Sequence, residues 1–248
     1  MMSAMISLAK HHLKNFVQEI LYPFGLSLSR IDSGIGMELC LKGLAKRGFH
    51  PEYIVDVGAA RGDWTKVALL SWPHAKYFLF EPLEERRADL TTLNQKHANV
   101  TFTIAAAGPE SGELSIGVTR DLYGSSFMYD GESSRKVPVL TIDDLLKEGR
   151  LVQPDFMKLD VQGYELKVLE GSTRAMENCE LILLELPFFR FSPSMKLLHE
   201  TIEWMADRGW RPYEIVDTLR RPFDGAMGQC DMLFAREGTW LLDSDTWG

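Results

Sequence analysis

The sequence predicts an α/β protein built on a mostly parallel sheet, with helices on both faces and an antiparallel pair of strands at one end. Three observations carry that reading. Short apolar, β-branched runs alternate with helix-period segments through the middle of the chain. The first such run, Tyr53-Ile-Val-Asp-Val57, ends in a glycine turn, Gly58-Ala-Ala-Arg-Gly62, that opens a helical pattern. Near the end, runs around 211–216 and 229–236 have no helix-length segment between them, which makes them antiparallel neighbours. The chain has 248 residues, 45% of them hydrophobic, enough for one domain with a sizeable core and an appendage.

The elements follow in order. Met5, Leu8, Ala9, Leu13, Phe16, Val17, Ile20 and Leu21 share one face of a helix over 3–21, which Tyr22-Pro-Phe-Gly25 ends. Its apolar face is expected to pack on the domain or on a second copy of the chain, giving a homo-oligomer; contact with a membrane surface or with a substrate is the alternative. Residues 1–34 are read as a helical appendage and 35–248 as the main domain. Ser33 is placed to cap a second helix, about Ile35 to Arg47, stopped by Gly48. Strands 53–57, 76–81 and 100–106 then alternate with helices near 62–70 and 83–96. Glu113 to Val118 alternates like an exposed hairpin strand, and Thr119 to Lys136 reads as a long Gly- and Ser-rich loop. Ser125 and Ser126 in that loop are candidate contacts for a ligand or ordinary solvated serines. Thr141 is an N-cap, with Asp143 and Asp144 in the first turn. Strand 155–160, a helix from Tyr164 to Met176, strand 180–186 stopped by Pro187, an aromatic loop 188–193 and a helix over 194–208 complete the series.

Bulk properties exclude several classes. The formal net charge of −8 disfavours nucleic acid, whose binders are basic. Cys40, Cys179 and Cys230 are far apart and form no C-x-x-C, so they read as buried free thiols in a reducing compartment. No run is long enough for a transmembrane segment. The apolar start precedes Lys10, His11, His12 and Lys14, the reverse of a signal peptide, so the expected location is cytoplasmic.

A strand, a glycine turn and a helix make a nucleotide-type pocket at the strand's C-terminal end. A dinucleotide turn needs G-x-G-x-x-G, and the closely spaced glycine pair is missing here. The turn suits S-adenosylmethionine, which carries no phosphate. Gly58, Ala60 and Gly62 would shape the turn, and Asp56 at its mouth would take the ligand's ammonium group through a water or a backbone group. Glu81, ending the next strand, would hold the ribose hydroxyls, a placement shared with NAD enzymes. Ala106 and Gly108, ending the third strand, are placed for the adenine edge or for plain packing.

Five blocks then resemble the FkbM family of S-adenosylmethionine-dependent methyltransferases: Ile54-Val-Asp-Val-Gly-Ala-Ala-Arg-Gly62, Phe80-Glu-Pro82, Val139-Leu-Thr-Ile-Asp-Asp-Leu145, Met157-Lys-Leu-Asp-Val-Gln-Gly-Tyr-Glu165 and Leu184-Glu185. The resemblance spans roughly residues 35 to 236. It implies the Rossmann-like class I methyltransferase fold, with a seven-stranded sheet containing one antiparallel strand. It also implies methyl transfer to a hydroxyl of a small molecule, saccharide or other natural product. Many relatives follow the acid matching Glu185 with a histidine; here Leu186-Pro187 follows, so that base is absent.

Methyl transfer is an in-line displacement, so alignment of acceptor and methyl group carries much of the rate. An alcohol must also lose its proton. Asp160, ending a strand at the ligand-binding edge, is the expected base or acceptor positioner. Its alternatives are capping a helix or touching the cofactor. Asp160 and Glu185 end neighbouring strands, and their oxygens would suit Mg²⁺. Glu165 answers the helix dipole or holds the acceptor loop. Lys158, set by alternation opposite the neighbours of Asp160, has no role assigned. Phe188, Phe189 and Phe191 line an acceptor pocket or the core. An NAD-dependent oxidoreductase and a non-catalytic protein of the same fold are the rival readings.

Overall fold

A computed structural model describes residues 36–118, 133–193, 195–244 and 246. The expected helix at 3–21, the cap at Ser33 and Ser125 and Ser126 lie outside the described residues.

The described chain starts with α1 (Met37–Arg47), whose Cys40, Leu41 and Leu44 are buried; Gly36 rather than Ser33 is its N-cap. Then come β1 (Tyr53–Val57), α2 (Asp63–Ser71), β2 (Lys76–Phe80), a 3-10 turn at Glu84–Arg86 leading into α3 (Arg87–Lys96), and β3 (Val100–Thr103). A small excursion follows: β4 (Ala106–Ala107), β5 (Gly112–Val118) and β6 (Ser133–Leu140). The second half holds α4 (Ile142–Lys147), β7 (Phe156–Leu159), α5 (Glu165–Glu170), α6 (Thr173–Met176), β8 (Leu181–Pro187), α7 (Leu198–Ala206), β9 (Trp210–Arg220) and β10 (Met227–Arg236).

Seven strands form one sheet in the order β3-β2-β1-β7-β8-β10-β9. Only β10 runs against its neighbours; β1, β2, β3, β7 and β8 pair in parallel. This is the mostly parallel Rossmann-like sheet with one antiparallel strand. The period of two divides each strand between two cores. Ile54, Leu79, Phe156, Leu183 and Leu233 pack with α1, α2 and α3. Val55, Phe80, Met157, Leu184 and Met232 pack with α4 to α7. Both faces are therefore covered, as parallel sheets require.

Several expected boundaries move, each for a physical reason. The third strand stops at Thr103, and Ala106–Ala107 pairs instead with Val139 and Leu140 of β6. Ala106 buries itself there against Leu83, Ile116, Val137 and Val139, so a second apolar cluster draws the chain out of the main sheet. Residues 133–136, expected in a loop, are strand paired to β5, and Arg135 clasps Glu85 through two bonds of 2.9 and 2.7 Å. The helix expected over 164–176 breaks at Gly171, where a Cβ would stand 2.1 Å from the Gly108 carbonyl oxygen. The second piece is capped from a distance: Asp143 accepts the N–H groups of Arg174 and Ala175, both at 2.9 Å. Thr141 caps α4 as expected, its hydroxyl accepting the Asp144 N–H at 2.8 Å. β8 ends at Pro187 as expected, with the proline itself as its last residue, opposite Gln229 of β10. The helix expected over 194–208 is shorter, Leu198–Ala206.

Candidate active site

At the C-terminal edge of the sheet, the stripe facing α1 and α2 changes from apolar to charged. Ile54 gives way to Asp56, Phe156 to Lys158 and Leu183 to Glu185, and Leu233 is followed two places back by Asp231. The strand register sets Asp56 beside Lys158 and Asp231 beside Glu185. Parallel α/β sheets bind ligands at this edge.

Two adjoining clefts open here. One, of about 160 Å³, is lined by the turn Gly58-Ala59-Ala60, by Asp63 and Trp64 of α2, and by Lys158 and Leu183. The other, of about 260 Å³, is lined by Asp217 and Leu219 of β9 and Gln229 and Cys230 of β10. Asp160, Glu185 and Asp231 line both. A larger apolar cavity of about 450 Å³ opens at Tyr53, Lys76 and Asn99, where β1 and β2 begin. It lies at the opposite end of the strands from the glycine turn.

Asp56 does not stand at the mouth. Its side chain is wholly buried, with Oδ2 accepting the Thr65 hydroxyl at 2.7 Å and Oδ1 lying 3.1 Å from Lys158 Nζ. Oδ1 has no aligned hydrogen bond, so the contact with lysine is an ion pair. The expected grip of Asp56 on a ligand ammonium is thus taken by the protein's own ammonium. Burial alone would lower the Lys158 pKa; Asp56 and Asp160 outweigh it and raise it, so the lysine stays charged.

The glycines answer to the protein as much as to a ligand. Gly58 has φ 76°, and a Cβ there would stand 2.0 Å from the Asp160 carbonyl oxygen. Gly62, also left-handed, abuts Leu93 of α3 and lines neither cleft. Ala60 keeps φ 48° without being glycine, and its N–H donates to Glu81 Oε2 at 2.8 Å. The other Glu81 oxygen accepts from Leu83 N at 2.9 Å. Burial raises the Glu81 pKa against these two bonds. A carboxylate has about four acceptor positions, so the two bonds leave room for ribose hydroxyls. Ala106 lies away from both clefts, in the small-sheet cluster, and the packing alternative describes it.

Asp160 is the exposed acid of the group, its side chain 40% accessible. Gln162 Nε2 donates to Asp160 Oδ1 at 3.0 Å and to Glu185 Oε2 at 2.9 Å. Gln162 also holds a left-handed backbone, φ 56°. It and Ala60 are the two such non-glycine residues among those described; Ala60 lines the first cleft and Gln162 holds two acids that line both, and strain of this kind concentrates at functional sites. Glu185 further accepts from Gln229. Burial, then repulsion from Asp160, Glu165 and Asp231, holds the Glu185 carboxyl far above the usual range. Burial and Asp160 push Asp231 up to about 7. Glu165, whose carboxylate accepts the Val161 and Gly163 N–H groups, is pushed by burial to about 7.

The donor set does not fit Mg²⁺. Asp160 and Glu185 come together, but an amide nitrogen bridges them and an ammonium stands beside Asp160 at 3.7 Å. Among the described residues no group of three or more His, Cys, Asp and Glu has metal-holding geometry. Gln162 and Lys158 occupy the places between and beside these carboxyls where a cation would sit.

Lys158, Gln162, Gln229 and Asp231 were not assigned from sequence. Lys158 and Asp231 had a signal, a charge inside an apolar strand run; Gln162 and Gln229 had none. His199, the next histidine along the chain after Glu185, is exposed and lines neither cleft. Phe188 and Phe191 are 39% and 54% exposed, which plain core packing does not describe, and they also lie outside the cleft linings. All three cysteines are buried free thiols, raised by burial.

A family model described as the methyltransferase FkbM domain matches residues 56–212. The hexuronic acid methyltransferase AglP of Haloferax volcanii is 24% identical over 144 residues, 58% of this chain and 59% of that protein. The chain thus spans under two thirds of that curated relative's length. Among solved structures, precorrin-6y C5,15-methyltransferase of Geobacter metallireducens superposes over 81% of this chain and 87% of its own, at 13% identity and a TM-score of 0.48. The 1,6-didemethyltoxoflavin-N1-methyltransferase of Burkholderia thailandensis, bound to 1,6-didemethyltoxoflavin and S-adenosylhomocysteine, covers 81% and 76% at 14% identity and a TM-score of 0.43.

Proposed function

This chain belongs to the FkbM methyltransferase family, and we propose that residues 35–248 carry an O-methyltransferase that moves a methyl group from S-adenosylmethionine to a hydroxyl of a small-molecule or saccharide acceptor. The observation that carries the reading is the charge of the cleft at the glycine turn. Asp63, Asp160, Glu185 and Asp231 line it; the one cation of the lining, Lys158, is already ion-paired, and Asp63 is paired at the rim with Lys66. A pyrophosphate would be repelled there, whereas a sulfonium and an ammonium are accepted. Buried like charges would hold a cationic ligand too tightly to help its reaction. The raised Glu185 and Asp231 carboxyls limit that, since protonation removes part of the negative charge.

The backbone of Gly58 to Ala60, Asp63 and Trp64 would hold the cofactor, with Glu81 on its ribose. Bound there, S-adenosylmethionine supplies an electrophilic methyl group. Asp160 orients the acceptor hydroxyl and takes its proton; Lys158 and Gln162 keep its two oxygens in place. A carboxylate is a weak base for an alcohol, so Asp160 acts chiefly by orientation and by accepting the proton as the oxygen–methyl bond forms. The second cleft, between β9 and β10, would seat the acceptor. The hexuronic acid relative makes saccharides the first class to try.

The test is transfer of labelled methyl from S-adenosylmethionine to a panel of hexosides, hexuronides and hydroxylated amines. On the acceptor that is methylated, Asp160→Asn is expected to lower kcat by about 10²-fold or more while leaving S-adenosylhomocysteine affinity within about threefold. An Asp160→Asn enzyme of unchanged kcat would return that acid to a structural role.

A further inference from the structure

Lys158 is a buried cation that makes and breaks no bond in the proposed reaction. A lysine ammonium has three donors and no acceptor. Here it donates a hydrogen bond to the Gly58 carbonyl of the turn at 3.1 Å and ion-pairs with two acids from other pieces of chain, Asp56 Oδ1 of β1 at 3.1 Å and Asp160 Oδ2 beyond β7 at 3.7 Å. Its side chain is 7% exposed, and that of Asp56 not at all. An apolar side chain would fill the same strand position without desolvating a charge, and buried ion pairs rarely gain stability over such a replacement.

The contacts continue in both directions. Thr65 of α2 holds the other oxygen of Asp56 at 2.7 Å. Gln162 holds the other oxygen of Asp160 and reaches Glu185, which Gln229 of β10 also holds. One unbroken polar chain thus runs from α2 through β1, β7 and β8 to β10. Lys158 is the link at which it meets the glycine turn.

We propose that Lys158 is a positioning residue for the cofactor turn: its ammonium fixes the Gly58 carbonyl and the Asp160 carboxylate against the immobile Asp56, so that the nucleoside cleft and the acceptor-side acid keep one geometry. The inference rests on the reading of the first cleft as an S-adenosyl nucleoside site. The turn gains from such a tie because Ala60, a non-glycine residue, is held there at φ 48°.

The probe is S-adenosylhomocysteine, titrated calorimetrically, alongside Tm and amide hydrogen exchange. Lys158→Met leaves Asp56 buried without its cation and lowers Tm. Asp56→Asn combined with Lys158→Met removes both charges. It is expected to bring Tm back to within about 5 °C of the wild type while S-adenosylhomocysteine binding stays at least about tenfold weaker. Exchange should quicken at Ala59 and Ala60 and not in β7 or β8. A double variant that recovers both Tm and affinity overturns the inference, because Lys158 then only balances Asp56. A double variant that does not fold overturns it as well, by showing a purely structural cluster. A wild type that binds no S-adenosylhomocysteine overturns the reading of the cleft and this inference with it.

Discussion

Asp231 shows what burial does to an acid at this edge. It lies opposite Glu185 on β8 and Asp217 on β9, and like charges directly opposite are destabilising. Burial first, and then Asp160, push its carboxyl up to about 7. The folded chain therefore holds a proton there that the unfolded chain, with an ordinary aspartate near 4, has released. Between about pH 4 and about pH 7 the native state binds more protons, so this residue's contribution to stability falls as pH rises through that window. Asp231→Asn should flatten the slope: between pH 5 and pH 8 the wild type is expected to lose several more degrees of Tm than the variant, and equal losses would contradict the assignment. Asp231 was within reach of the sequence, because an acid two places before Leu233 in an apolar run can only face the same side of its strand. The same alternation puts Lys158 and Asp160 on one side. The partners of these charges were out of reach, since Asp56 with Lys158 and Glu185 with Asp231 are joined by strand register, which one sequence does not give. Gln162 was out of reach for another reason: its importance lies in a backbone angle that no residue type announces.

Among the elements, the strands and their order along the chain were legible because each is a short apolar run between breakers. The departures come where tertiary contact overrides the local pattern. Ala106 continues an apolar run, yet it leaves β3 for the small sheet because Leu83, Val137 and Val139 offer a closer apolar surface. Gly171 breaks a continuous helical pattern because the Gly108 backbone approaches where its side chain would be. The glycine turn is the same lesson at the site. Gly58 was expected to shape the turn of a ligand pocket; its missing side chain first makes room for the Asp160 carbonyl. Gly58→Ala combines a 2.0 Å clash against backbone with a left-handed φ of 76°. It should cost about 3 kcal/mol or more, roughly 6–12 °C in Tm for a domain of this size. A Gly58→Ala protein with wild-type Tm would mean that the turn and the end of β7 are not packed as described.

At the scale of the whole molecule, the sheet order carries the functional argument. Placing β7 beside β1, with β8 and the reversed β10 beyond it, brings residues 56, 158, 160, 185 and 231 to one edge from segments scattered over most of the domain. The family was legible through its five sequence blocks, and one of them has a clear structural purpose: Asp143 of the Thr141–Leu145 block caps α6. The absent second glycine also pointed away from a dinucleotide, and the acid-lined cleft supports the same choice on electrostatic grounds. No described helix is long and apolar enough to cross a membrane. The acceptor was the least legible part, because β9 and β10 shape the second cleft and their sequences carry no motif.

The central claim is that this edge binds an S-adenosyl nucleoside. Isothermal titration of the wild-type chain with S-adenosylhomocysteine and, separately, with NAD tests it most directly. The account predicts saturable one-site binding of S-adenosylhomocysteine, abolished or strongly weakened by Ala60→Trp in the cleft wall, and no binding of NAD. Binding of NAD with none of S-adenosylhomocysteine would contradict it.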